Sequence, residues 1–221
     1  MSFKTTTLAV LMAIGCADAA NAQYYQIANS IPSLIQPALS GGLNYKGFIE
    51  TEYLHGLGEY NCDFVGLSTV QGFRYSSWFF MGAGLGAQYV HTTPADNWSQ
   101  NWPVGYAAHS TSTNGVMIPV FTDFRFNIGG ATGAAFFADI RVGASFLIGN
   151  NYLRINNGYI NGNEYFYLRP SIGVRLPVSS KHPKQALDIG VSYQLLTNNY
   201  WDSWNRNVAI SALGANISFE W

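Results

Sequence analysis

Hydrophobic and polar residues alternate along several long stretches of the chain. In Ala186–Leu196, apolar residues such as Leu187 are each followed by a small or polar residue such as Asp188. Phe136–Ile148 and Leu213–Trp221 show the same alternation. Because successive side chains of a β-strand point to opposite faces, this pattern predicts strands with one apolar face and one polar face.

Five further segments show a less regular alternation. In one of them, Gln71 interrupts the apolar face. Ordinary strands have about five or six residues, whereas a strand that crosses a bilayer at a tilt needs about 9 to 11. The length of these segments therefore indicates membrane-crossing strands. The five segments are Tyr45–His55, Cys62–Phe73, Phe79–Val90, Val116–Ile128 and Glu164–Leu176.

Ten charged residues in five of these eight segments all fall on the polar face. They are Lys46, Glu50, Glu52, Asp123, Arg125, Asp139, Arg141, Arg169, Arg175 and Asp188. A charge on a lipid-facing surface at mid-bilayer costs about 2 to 4 kcal/mol, so these faces must point into a closed structure. The sequence predicts an all-β fold, an eight-stranded antiparallel transmembrane up-and-down β-barrel. Its interior is just wide enough for side chains to fill, and buried charges must be paired. We therefore expect a network of arginine–carboxylate pairs, with Lys46 near one end.

The connections alternate in length, as in outer-membrane barrels with short periplasmic turns and longer external loops. The predicted external loops are Gly56–Asn61, His91–Gly115, Gly149–Asn163 and Thr197–Asn205. The predicted turns are Arg74–Ser77, Gly129–Gly133 and Pro177–Gln185. Pro119 and Pro170 lie inside predicted strands, where each removes a ladder hydrogen bond. We expect a bulge or a shifted strand end at both prolines.

Composition narrows the class of protein. The chain has 221 residues, of which 10% are charged and 15% aromatic, and its formal net charge is −1. This composition excludes a nucleic-acid-binding protein, which would carry a basic excess, and a disordered chain, which would combine low hydrophobicity with high net charge. Beyond the N-terminus, no apolar run approaches the roughly 18 residues of a membrane helix.

The N-terminus has the features of a secretory signal. Lys4 precedes a short apolar run, Leu8–Gly15, and small residues follow at Ala20 and Ala22. We predict a signal peptide at residues 1–22, a periplasmic segment at 23–42 and the barrel domain at 43–221. A less favoured alternative is lipidation of Cys16, because Ala13–Cys16 is similar to a lipoprotein box.

The C-terminal run resembles the signature by which outer-membrane assembly machinery recognises its clients, with Ile217, Phe219 and the terminal Trp221 at alternate positions. With the signal peptide and the eight segments, the chain resembles the eight-stranded outer-membrane barrel superfamily, which includes OmpA-like and OmpX-like barrels. Leu34–Gly41 and Tyr45–Glu50 look like the entry to the first strand in that group. The resemblance implies the outer membrane of a Gram-negative-type bacterium, with outer-membrane lipids including lipopolysaccharide and the assembly machinery as partners.

The resemblance implies no single activity, so catalytic residues, cofactors and metals cannot be carried over. We predict a structural or surface-interaction role, with a narrow pore or small-ligand conduit as the alternative. Aromatic residues of two predicted loops form either a girdle at the lipid headgroups or a stacking surface for an unidentified extracellular ligand. These residues are Trp98, Trp102, Tyr106, Tyr200, Trp201 and Trp204.

A second alternative is a lipid-modifying enzyme, because some eight-stranded barrels modify lipid A with histidine, serine and carboxylate groups near the outer rim. The only histidines are His55, His91, His109 and His182. No nucleophile motif accompanies them, so we predict that the protein is not an enzyme and that these are solvated rim residues. Gly82, Gly84 and Gly86 lack the helix that a phosphate-binding loop requires; we expect them to make room for long interior side chains.

Overall fold

The computed structural model describes residues 44–58, 62–92, 114–129, 133–149, 152–155, 158–179, 182–201 and 207–221. The predicted signal peptide, the predicted periplasmic segment, Trp98, Trp102, Tyr106 and Trp204 lie outside these residues. Tyr200 and Trp201 belong to a strand, but only their backbone is described. In the described part of the chain, no helix is long and apolar enough to cross a membrane.

Eight long strands form a closed barrel. They are β1 (Asn44–Leu57), β2 (Cys62–Arg74), β3 (Phe79–Thr92), β4 (Asn114–Ile128), β5 (Ala135–Ile148), β8 (Glu164–Ser179), β9 (His182–Trp201) and β10 (Asn207–Glu220). Two short strands, β6 (Tyr152–Ile155) and β7 (Gly158–Asn161), pair with each other in a separate hairpin.

Every barrel strand pairs antiparallel with its neighbours in the chain, and β1 closes the ring by pairing with β10. The ring order is β1-β10-β9-β8-β5-β4-β3-β2. This topology confirms the predicted eight-stranded up-and-down barrel. We call the end where β1 begins and β10 ends the turn end, and the opposite end the loop end.

Two predicted connections are shorter than expected. Strand β9 starts at His182 and runs to Trp201, so it includes part of the predicted turn Pro177–Gln185 and part of the predicted loop Thr197–Asn205. Strand pairing continues there because ladder hydrogen bonds do not require alternating apolar side chains. The predicted loop Gly149–Asn163 contains the β6–β7 hairpin.

The expected bulges at Pro119 and Pro170 are wrong. Pairing of β4 with β3 lapses opposite Pro119, and pairing of β8 with β9 lapses opposite Pro170, but the register is the same on both sides of each gap. Proline has no N–H to donate, so each one interrupts a single ladder. The other neighbour keeps its pairing, Pro119 with Ser145 and Pro170 with Ile140.

The outward face of the barrel is apolar. Ile172, Ile128 and Phe136 are 68%, 67% and 66% exposed. Gln71, which interrupts this face, accepts a hydrogen bond from the Tyr45 hydroxyl and donates one of 2.9 Å to Thr69 Oγ1. These hydrogen bonds satisfy the Gln71 amide within an otherwise apolar surface.

The C-terminal residue closes the barrel seam at the turn end. The Gly47 and Trp221 amides exchange backbone hydrogen bonds of 3.2 and 3.0 Å. A Cβ atom at Gly47 would overlap the Trp221 ring, so the ring lies directly over this glycine. Elsewhere at this end, Trp78 stacks on Phe126 at 6.0 Å and packs against Phe79 at 5.6 Å.

Candidate functional site

The barrel interior is charged, and within the described strands the charges balance. All ten charged residues that the sequence assigned to the polar face are buried, each at most 5% exposed, and Arg74 and Glu220 join them. The cations are Lys46, Arg74, Arg125, Arg141, Arg169 and Arg175. The carboxylates are Glu50, Glu52, Asp123, Asp139, Asp188 and Glu220. The six cations and six carboxylates have no net charge, which reduces the cost of burying them in a low-dielectric interior.

Glu50 on β1 is the centre of the network. Arg141 on β5 donates two hydrogen bonds of 2.8 Å to its two carboxylate oxygens. Arg169 approaches Glu50 Oε1 at 2.7 Å, and Asn216 Nδ2 donates to Oε2 at 3.0 Å. Hydrogen bonds between arginine and a carboxylate are about twice as strong as neutral ones, and the bidentate geometry fixes the orientation of both partners. Glu50 thereby joins three other strands to β1.

Arg125 organises the layer nearer the turn end. Its guanidinium bonds Asp139 on the adjacent strand at 2.9 Å and Asp188 on β9. The same group lies over the rings of Phe48 and Phe137, 4.2 and 4.9 Å from their centroids. The two rings make cation–π contacts with the faces of the guanidinium, where no hydrogen bond can form.

On the loop side of Glu50, Glu52 pairs with Arg169 and accepts a hydrogen bond from Gln88. Gln88 also donates to Gln194 Oε1 on β9 at 2.7 Å. Arg169 Nη2 donates to Ser192 Oγ at 2.9 Å. The network therefore crosses the interior here as well.

Glu220 gathers three cations near the turn end. It accepts hydrogen bonds from Lys46, from Arg74 at 3.0 Å and from Arg175 at 2.6 Å. Sequence reasoning left Arg74 and Glu220 out of the network, because Arg74 was assigned to a turn and Glu220, although on the polar face of the last segment, was not counted among the interior charges. The signal was present, since Glu220 shares the inward parity of Asn216 and Ser218.

The interior towards the loop end is apolar, which the sequence analysis did not predict. Leu153 and Ile160 of the β6–β7 hairpin are fully buried, and the hairpin packs against β3 and β9. With the inward side chains of the barrel strands they form an apolar layer, which belongs to one hydrophobic cluster. The barrel members of the layer are Leu54, Cys62, Phe64, Val90, Met117, Leu147, Tyr165, Leu196 and Ile210. Along the described strands, side chains thus fill the interior from the turn end to the loop end.

Gly82, Gly84 and Gly86 face the interior, but aromatic rings rather than long charged side chains take the space that two of them leave. A Cβ atom at Gly84 would overlap the ring of Phe121, and one at Gly82 would lie 2.8 Å from Phe80 Cζ. The Phe121 ring in turn supports Arg141, whose guanidinium carbon is 5.0 Å from its centroid.

A second polar group lies outside the barrel at the loop end. His55 Nδ1 donates to Asp63 Oδ1 at 2.8 Å, and His91 Nδ1 lies 2.8 Å from Asn114 Oδ1. His109 and the side chain of His182 are outside the described residues. Within the described ranges, no three histidine, cysteine or acidic residues are grouped as metal ligands.

No family model and no curated protein sequence matches the chain. Solved structures are similar in fold. The outer membrane enzyme PagL has a TM-score of 0.50 at 12% identity, covering 77% of this chain and 97% of PagL. Neisserial surface protein A (NspA) gives 0.46 at 11%, covering 79% and 95%. The N-terminal β-barrel domain of Pseudomonas aeruginosa OprF gives 0.42 at 10%, covering 81% and 99%.

The likeness to PagL agrees with the closed ring of eight antiparallel strands. The chain therefore has the fold of a small outer-membrane β-barrel. At this level of identity the likeness concerns the fold alone, because one barrel architecture hosts unrelated functions.

Proposed function

We propose that the protein is a resident of the bacterial outer membrane with a structural or surface-interaction role, and that it does not conduct ions. The observation that carries this proposal is the filled interior. Glu50 binds Arg141 across the barrel, and apolar side chains such as Leu54 and Leu153 close the loop end. Breaking one buried charge pair costs about 3 to 5 kcal/mol, so opening a path through the network is unfavourable.

Conduction is tested by single-channel recording of the purified barrel in a planar bilayer. We expect no discrete conductance steps, whereas a general porin added to the same bilayer supplies the positive control. Steps that appear in the wild type and disappear in Arg141→Met or Asp139→Asn would favour the narrow pore instead.

The proposed location rests on the outward apolar face and on the interior charges. Lipid-facing charge is costly at mid-bilayer, and the described charged side chains of the strand centres point inward. Membrane fractionation combined with gel mobility before and after heating tests the location. We expect a heat-modifiable band in the outer-membrane fraction, and recovery of the protein in the soluble fraction would contradict the proposal.

The proposal includes no catalytic activity. The His55–Asp63 pair could orient an imidazole as a general base, but within the described residues its hydrogen bonds join only the two side chains and the Gly56 amide. Mass spectrometry of lipid A from cells that express the protein tests this point. We expect an unchanged lipid A profile, and a change that depends on His55 or His91 would establish the lipid-modifying alternative.

A further inference from the structure

Four polar side chains form a continuous row on the outer face at the loop end, which we call the rim row: His55, Asp63, His91 and Asn114. They lie on four successive strands, β1 to β4. Asp63 pairs in register with His91, and His91 with Asn114. Side chains directly opposite each other on one face of a sheet lie about 5 Å apart, so the row is a connected surface.

Hydrogen bonds hold the members of the rim row in fixed orientations. Asp63 Oδ1 accepts from His55 Nδ1 at 2.8 Å and from the Gly56 amide at 3.0 Å. The Asn114 amide oxygen engages His91 Nδ1 at 2.8 Å. An imidazole that donates through Nδ1 keeps Nε2 as an acceptor when neutral. The side chain of His55 is 61% exposed, so this acceptor is open to a ligand.

The next row towards the turn end is apolar and aromatic. Tyr53, Val65, Tyr89 and Val116 lie in lateral register and are exposed by 52%, 52%, 45% and 40%. From this row to the rim row, the outward side chains of β1 to β4 change from apolar to polar, whereas Leu213, which pairs with His55, and Leu57 are apolar and exposed. Tyrosines concentrate where hydrocarbon meets the lipid headgroups, so the rim row lies at headgroup level on the external side.

We propose that the rim row, with the rings of Tyr53 and Tyr89, binds the saccharide headgroup of an outer-leaflet glycolipid. Fixed carboxylate, amide and imidazole groups suit sugar hydroxyls, and adjacent aromatic rings suit the apolar faces of a sugar. The row contains one carboxylate and no lysine or arginine, so it does not favour a bare phosphate. This inference rests on the proposed outer-membrane location.

Native mass spectrometry of the folded, detergent-solubilised protein tests the proposal. The probes are monophosphoryl lipid A, diphosphoryl lipid A and phosphatidylethanolamine. We expect both lipid A probes to bind more tightly than the phospholipid. Loss of a hydrogen bond to a charged group lowers affinity by about tenfold, so Asp63→Ala and the double variant His55→Ala/His91→Ala should show that loss.

Glu164→Ala is the matched control. Glu164 is also an exposed carboxylate at the loop end, but it lies on β8, on the opposite side of the ring from β2. This variant should bind lipid A like the wild type. Heat-modifiable mobility of each variant verifies that the barrel is folded.

Three results would overturn the proposal. The first is equal affinity of Asp63→Ala and the wild type, or an equal loss in Glu164→Ala. The second is affinity that follows the number of phosphates and increases in Asp63→Ala. The third is chemical conversion of the lipid during incubation, which would make the row a catalytic site. Failure of the proposed location would instead show in cell fractionation, because the binding assay uses purified protein.

Discussion

Glu50 and Arg141 bond across the full width of the barrel. Their strands, β1 and β5, are four positions apart in a ring of eight, and the two 2.8 Å hydrogen bonds are parallel and bidentate. Adjacent strands are already joined by their ladders, so this pair adds a tie between walls that no backbone hydrogen bond connects. The interior network therefore braces the barrel as well as filling it.

Replacing Arg141 with methionine should destabilise the barrel by about 3 to 5 kcal/mol, because Glu50 loses its bidentate partner in a buried site. Urea unfolding in lipid vesicles, followed by tryptophan fluorescence, measures the change. The double variant Glu50→Met/Arg141→Met should be less destabilised than the single variant, because it keeps the buried charges balanced and leaves Arg169 its pairing with Glu52. A single variant with wild-type stability would show that the bridge does not brace the barrel.

Ile172→Lys should cost about 2 to 4 kcal/mol, because this outward side chain is at the middle of β8 and therefore faces the bilayer centre. Val178→Lys is the matched control, since Val178 is also outward but next to the turn end, where the cost falls to about 0 to 1 kcal/mol. The two residues are 68% and 56% exposed. Equal unfolding free energies for the two variants in vesicles would contradict a membrane-spanning β8.

Gly84→Ala should destabilise the barrel by about 1 to 3 kcal/mol, because its methyl group overlaps the Phe121 ring and forces repacking. Gly133→Ala provides the comparison, as a Cβ atom there would meet nothing within 4 Å. The unfolding midpoint in urea reports both changes. A Gly84→Ala midpoint that equals that of Gly133→Ala would mean that the ring has room to move.

Trp221→Ser should reduce assembly in cells far more than refolding in detergent, if the terminal aromatic is read by the assembly machinery. Trp221→Phe retains an aromatic ring and should assemble normally. The measurement is the heat-modifiable fraction in membranes and in refolded samples. If the folded fraction falls equally in cells and in refolding, Trp221 contributes only to barrel closure next to Gly47 and is not recognised by the assembly machinery.

Sequence alternation was sufficient to predict the barrel and the orientation of its charges. Each residue's parity depends only on the two-residue period of a strand, so Asp139 and Arg141 could be placed on one face without knowing their partners. The partners depend on the register between strands. Register could not be read from a single chain, which is why the joining of Glu50 to β5 and β8 emerged only from the structure.

The ends of the strands were harder to predict than their centres. Beyond the apolar band, strand residues need not alternate between apolar and polar. The alternation pattern therefore could not predict that β9 continues to Trp201. The apolar layer around Leu54 and Phe64 was missed for a related reason, because inward apolar residues obscure the contrast between the two faces. The bulges expected at Pro119 and Pro170 were wrong because a missing N–H removes one ladder hydrogen bond without changing the register of the strands.

The equality of buried positive and negative charge has a consequence for the environment in which the barrel can persist. Mobile ions weaken attractions that they can surround, but side chains at most 8% exposed are out of their reach. The buried ion pairs should therefore contribute equally to barrel stability at low and at high salt concentration. Variation in salinity would then act on the loops and on the surrounding lipids rather than on the wall itself.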